Sequence, residues 1–113
     1  MPRYLYILFI ICTLSLSECR NNSNEHTIPK VGVNIDIDVN LPQYNSLNFI
    51  GGWVYLKGGY NGIIVHRSTV DVLAAYERQA PYLVEDACRV DVDSNGVTCT
   101  DPCSGSQWLL FDG

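Results

Sequence analysis

From Trp53 onward every apolar run in this chain is short and is stopped by a turn former, which leaves room for little besides a small β-fold. Trp53-Val54-Tyr55-Leu56 and Ile63-Ile64-Val65-His66 are β-rich runs separated by Lys57-Gly58-Gly59-Tyr60-Asn61-Gly62. Glycine and the Asn-Gly pair supply the positive φ angles of a tight reversal, so the unit predicts a hairpin. Cys88-Arg89-Val90-Asp91-Val92 alternates in polarity, reverses through Asp93-Ser94-Asn95-Gly96 and resumes at Val97-Thr98-Cys99, which predicts a second hairpin. The stretch from Gly105 to Gly113 begins with a turn, continues as a strand and ends on a turn signal. No long amphipathic helix, internal repeat or low-complexity tract competes with this pattern. The expected fold is all-β, a small and mostly antiparallel sandwich or barrel.

Upstream, Val31, Val33, Ile35, Ile37 and Val39 alternate with Gly32, Asn34, Asp36, Asp38 and Asn40. A period of two places the five apolar side chains on one face, and this segment carries the clearest strand pattern of the chain. Leu41-Pro42 ends it, because proline cannot donate to a sheet ladder. An irregular connection pinned by Tyr44, Leu47 and Phe49 follows. Asp71-Val72-Leu73-Ala74-Ala75-Tyr76-Glu77-Arg78 fits helix by its alanines and charges and strand by its brevity and neighbours, and composition does not choose between them.

The N-terminus carries Arg3, then an apolar run from Tyr4 to Leu14, then Ser15-Leu16-Ser17. This is the anatomy of a secretory signal peptide over residues 1–18, and the run is too short for the roughly 20 apolar residues of a spanning helix. Leu16-Ser17-Glu18-Cys19 resembles a lipobox, with Glu18 standing where a small residue is usual. The expectation is a lipid on Cys19 that holds the protein to the membrane in the cell envelope; cleavage before Glu18, giving a soluble secreted or periplasmic protein, is the alternative. Residues 19–30 read as a polar tether and 31–113 as the single β-domain. The formal charge of −5 and the scattered Lys and Arg argue against a nucleic-acid partner. Cys88, Cys99 and Cys103 remain in the folded part, and export permits a disulfide. Three cysteines make one pair and one free thiol, with the pairing open.

Other motifs carry less. Asp91-x-Asp93-x-Asn95-Gly96 matches the first half of a calcium loop, but position twelve, where a bidentate glutamate belongs, is Pro102, so the segment reads as a hairpin turn. His26 and His66 have no second histidine at ligand spacing, and His66 reads as a packing or surface residue. Ser104-Gly105-Ser106 lacks the Gly-x-Ser-x-Gly pattern of a nucleophile elbow. Gly58-Gly59-x-x-Gly62 has no following helix to present amides to a phosphate.

With these segments laid out, Leu41 to Gly113 resembles the Rieske-type iron–sulfur family, in particular small bacterial lipoproteins with a Rieske-like domain. The likeness lies in the order of Gly62-Ile63-Ile64-Val65, Ala75-Tyr76-Glu77-Arg78-Gln79-Ala80-Pro81-Tyr82, Asp101-Pro102-Cys103-Ser104-Gly105-Ser106-Gln107-Trp108 and Leu110-Phe111-Asp112-Gly113. In cluster-bearing members one loop offers Cys-x-His and a second Cys-x-x-His. Carried across, those four positions are Ala80, Tyr82, Asp101 and Ser104. None is a soft ligand, so the resemblance implies a degenerate cluster site, with no cofactor or metal expected and a [2Fe-2S] centre only by family likeness. It also implies a Cys88–Cys103 disulfide clamping the two loops, with Cys88–Cys99 as the competing pair. A link between Cys88 and Cys103 closes about 15 residues and contributes roughly 3 kcal/mol. Relatives continue past the final Asp-Gly, so the last barrel strands are expected to be missing here. The expected function is that of a non-catalytic binding or structural module. The alternative, an electron-transfer protein of the Rieske ferredoxin type, would need a cluster held by Cys88, Cys99, Cys103 and an outside ligand such as His66.

Overall fold

The computed structural model describes residues 27–113. The signal peptide over 1–18, Cys19 and the first part of the tether lie outside the described residues. Among the described residues no helix is long and apolar enough to cross a membrane.

Among the described residues, two three-stranded antiparallel sheets make up the fold. The first contains β1 (Trp53–Leu56), β2 (Ile63–Arg67) and β3 (Leu73–Glu77), in that spatial order. The second contains β4 (Asp91–Val92), β5 (Thr98–Thr100) and β6 (Gln107–Leu109), also in chain order. The all-β expectation holds. Both sheets are open rather than closed into a barrel.

The first hairpin forms where glycine predicts it. Leu56 faces Ile63 across the ladder, and Lys57 to Gly62 make the reversal with Gly58, Gly59 and Gly62 at positive φ. The segment left open between helix and strand becomes β3, because β2 offers it a full ladder from Ile63↔Glu77 to Arg67↔Leu73. Glu77 then closes the glycine turn, accepting the N–H groups of Tyr60 at 2.7 Å and Asn61 at 2.8 Å.

Strand β2 is central and covered on both faces, which is why Ile63-Ile64-Val65 is a continuous apolar run rather than an alternating one. Ile63 and Val65 point to one side and pack with Leu47, from the 3₁₀ segment Pro42–Asn48, together with Val54 and Leu56. Ile64 points to the other side and shares the core between the sheets with Ala80, Val90, Cys99 and Leu110, flanked by Trp53, Tyr76 and Trp108. Ile63, Ile64, Val65 and Leu110 each contribute about 1.5–3 kcal/mol by leaving water. The sheets are also joined by backbone. Past β3, the Val90 N–H donates to the Arg78 carbonyl at 2.7 Å, and the Ala80 N–H to the Cys88 carbonyl at 2.9 Å.

The clearest strand pattern in the sequence, 31–39, is not a strand. No neighbouring strand offers it a ladder among the described residues. Ile37 and Val39 lean on the outer face of the first sheet, whereas Val31, Val33 and Ile35 stay exposed. The pattern encoded one apolar face, but a strand also needs a partner edge. Here the 3₁₀ segment carrying Leu47 takes part of the covering role instead. The chain re-enters the sheet at Gly52, where a Cβ would overlap the Ser46 carbonyl, so only glycine fits.

Candidate functional site

Two loops meet at one end of the core. The first runs from Ala80 to Cys88 and contains a short 3₁₀ turn, Val84–Asp86. Leu83 and Ala87, on either side of that turn, adopt left-handed backbone angles (φ 48° and 51°) without being glycine. Such conformations cost about 1–2 kcal/mol each and persist where surrounding contacts impose them. Those contacts include Gln79, 2 % exposed, whose amide nitrogen donates to the Ala80 carbonyl at 3.0 Å and whose oxygen accepts from Asn61 at 3.1 Å. Asn61 also donates to the Ala87 carbonyl at 2.9 Å, tying this loop to the glycine hairpin.

The second loop, Asp101 to Ser106, is organised by the Asp101 side chain. Its carboxylate is fully buried and accepts the Cys103 N–H at 3.0 Å, the Ser104 N–H at 3.3 Å and the Ser104 hydroxyl at 2.6 Å. The bond to a backbone two residues on is an Asx-turn, and Pro102 stiffens the same corner. The Ser104 hydroxyl and the two loop N–H groups hold the carboxyl below the usual carboxylate range, against the opposing pull of burial. Backbone bonds from Asp101 N–H to Ser106 and from Gly105 N–H to Asp101, at 2.9 and 2.8 Å, complete the reversal.

A Cys88–Cys103 disulfide joins the loops, with a Cα–Cα distance of 6.3 Å. The Asp101 carboxylate lies beside it: a carboxylate oxygen and both sulfurs fall within 4.8 Å of one another. Of the four positions singled out in the sequence, Asp101 and Ser104 are thus in direct contact with each other and adjoin the disulfide. Ala80 is a fully buried core residue and Tyr82 is exposed on the first loop. Cys99 is not part of this cluster. It is buried between the sheets, beside a cavity of about 150 Å³ that Ile64, Tyr76, Val90, Trp108 and Leu110 also line. Burial pushes its thiol up, and the Asp93 charge adds to that rise.

The remaining motifs serve the fold. The Asp93 carboxylate accepts from the Thr98 and Thr100 hydroxyls, and Asn95 accepts the N–H groups of Val97 and Thr98. These oxygens are committed to a hairpin turn, as the sequence reading favoured. His66 is 3 % exposed, with Nδ1 3.3 Å from the Ser68 hydroxyl, and burial lowers its pKa. Three cations that are scattered in sequence, Lys57, Arg78 and Arg89, line one cleft with Tyr55 and Tyr60. Arg78 is already committed there, stacked 3.8 Å over the Tyr55 ring and paired with Asp91, and Arg89 donates to Asn61.

Sequence reasoning missed the role of Asp101 as the buried centre of its loop, and that of Gln79 in the first. Asp-Pro is a turn-initiating pair, which is the signal that could have marked Asp101. Nothing local marks Gln79.

Comparison with known proteins finds no matching family model, no matching curated protein and no matching solved structure.

Proposed function

We propose that this chain is an exported module of the cell envelope, lipid-anchored through Cys19, whose Rieske-like layout serves binding or structural purposes without an iron–sulfur cluster. The observation that carries this reading is the chemistry at the four ligand positions. Ala80 has no donor atom and is packed into the core; Tyr82, Asp101 and Ser104 offer only oxygen, a poor match for a sulfide-bridged iron pair. The Cys88–Cys103 disulfide joins the two loops covalently, as the resemblance implies.

Iron and acid-labile sulfide analysis of the full-length chain, purified anaerobically from membranes, tests the absence of a cluster. The expected result is neither element in stoichiometric amount and no visible absorbance band; two irons per chain would sink the reading. Intact mass on the same sample is expected to show a diacylglyceryl-type addition at Cys19, and an unmodified mature chain in the soluble fraction would remove the anchor from it.

A further inference from the structure

We propose that reduction of the Cys88–Cys103 disulfide opens a site for one thiophilic divalent cation of the zinc class, held by both thiolates and the Asp101 carboxylate with water in the fourth position. The inference rests on the geometry of the two loops and not on any family likeness.

The three donor atoms come from two loops and already fall within 4.8 Å of one another. Zinc–sulfur bonds of about 2.3 Å at a tetrahedral angle set the two sulfurs about 3.8 Å apart. Side-chain rotation alone can provide that spacing from Cα atoms separated by 6.3 Å, so the backbone need not move. The loops are also held by contacts that survive reduction. The Ala80 N–H bonds to the Cys88 carbonyl, Asp101 and Ser106 are bonded across the second loop, and the Asp101 carboxylate is steered by Cys103 and Ser104. Cys103 is exposed and Cys88 half-buried, so an ion reaches the sulfurs from solvent, and Asp101 is the buried member of the set. Two thiolates and one carboxylate favour zinc over calcium or magnesium, whose preferred ligands are all oxygen. Among the described residues the set includes no imidazole and no third thiolate: Cys99 is occupied elsewhere, its thiol directed at the Trp108 carbonyl.

The chemistry balances simply. A dithiol reductant gives two electrons and two protons to the Cys88–Cys103 bond and itself becomes a disulfide. Binding of the cation then displaces the two thiol protons to solvent, while Asp101 enters as the carboxylate. Thiol–disulfide exchange with a disulfide oxidant reverses the cycle: the oxidant takes two electrons and becomes a dithiol, the Cys88–Cys103 bond re-forms and the ion is released, so the same pair of cysteines acts as covalent clamp or metal ligand according to redox state.

Cobalt(II) titration of the full chain, with and without a phosphine reductant, tests this directly. The reduced chain should take up one cobalt, with a thiolate-to-cobalt charge-transfer band in the near ultraviolet and visible bands of tetrahedral type, and zinc should displace it. The oxidised chain should show none of these. Asp101→Asn should weaken binding by roughly tenfold or more. Cys103→Ser, at an exposed position, should halve the charge-transfer intensity even if Asp101→Asn fails to fold. Cys99→Ala should leave the spectrum unchanged. A reduced chain with no charge-transfer band, a band that disappears with Cys99→Ala, or equal binding by the oxidised chain would each overturn the proposal.

Discussion

The central strand β2 and the paired loops at Cys88 and Cys103 are held by different physics. Around β2, order comes from area: Ile63, Ile64 and Val65 are covered on both faces, and the ladders to β1 and β3 satisfy the backbone. At the loops Ala80 and Val84 are buried while Tyr82 and Leu83 stay exposed, and further order comes from one covalent bond, one buried carboxylate and a few placed amides. The first kind of order is non-directional and scales with the area removed from water; the second depends on single atoms. A small domain with a modest core gains most from such pinning where its core is thinnest.

The largest expected effect tests the area side of that contrast. Ile64→Ala should destabilise the chain by about 2–5 kcal/mol, read as a lower denaturant midpoint, because Ile64 is 1 % exposed and packs in the core between the sheets. A loss below 1 kcal/mol would mean that the sheets repack easily and that the loops, not the core, dominate stability.

Removing the covalent pin comes next. The Cys88→Ala, Cys103→Ala double variant should lose roughly 3 kcal/mol, the chain-entropy value for a loop of this length. The measurement is equilibrium unfolding in parallel with the unmodified chain, and an unchanged midpoint would show that the polar contacts alone fix the loops.

The smallest of the three concerns the carboxylate. Asp101→Asn should cost about 1–3 kcal/mol at neutral pH, since the amide accepts more weakly and brings an N–H₂ group that the loop does not accommodate. The pH dependence is the sharper measurement. The folded carboxyl sits below its ordinary 3.8, so its contribution is complete above that value and is lost as pH falls through the folded value. Glu77 is lowered as well, where backbone N–H bonds from Tyr60, Asn61, Gln79 and Arg78 outweigh burial. Comparison with the Asp101→Asn chain isolates the Asp101 share: the variant should lose less stability on acidification than the parent, and parallel pH profiles would refute the assignment.

The sequence by itself determined the all-β character and both hairpins, at 53–66 and around Asp93-Ser94-Asn95-Gly96. A tight reversal is a local event, written in glycine, asparagine and aspartate within a few residues. Only the tertiary structure decided the rest. Leu73–Glu77 became a strand because it pairs along β2, and 31–39 did not become one because it pairs with neither sheet, although its pattern is the stronger of the two. The choice of Cys88–Cys103 over Cys88–Cys99 likewise depended on which loops the core brought together and on Cys99 being buried between the sheets. Asp101 shows the same limit at the scale of one atom group. Its turn was readable from Asp-Pro, but its burial beside two sulfurs required distant parts of the chain to close over it. Periodicity and turn chemistry act within a few residues, whereas partner edges, burial and sulfur pairing are set by contacts between residues far apart in the chain.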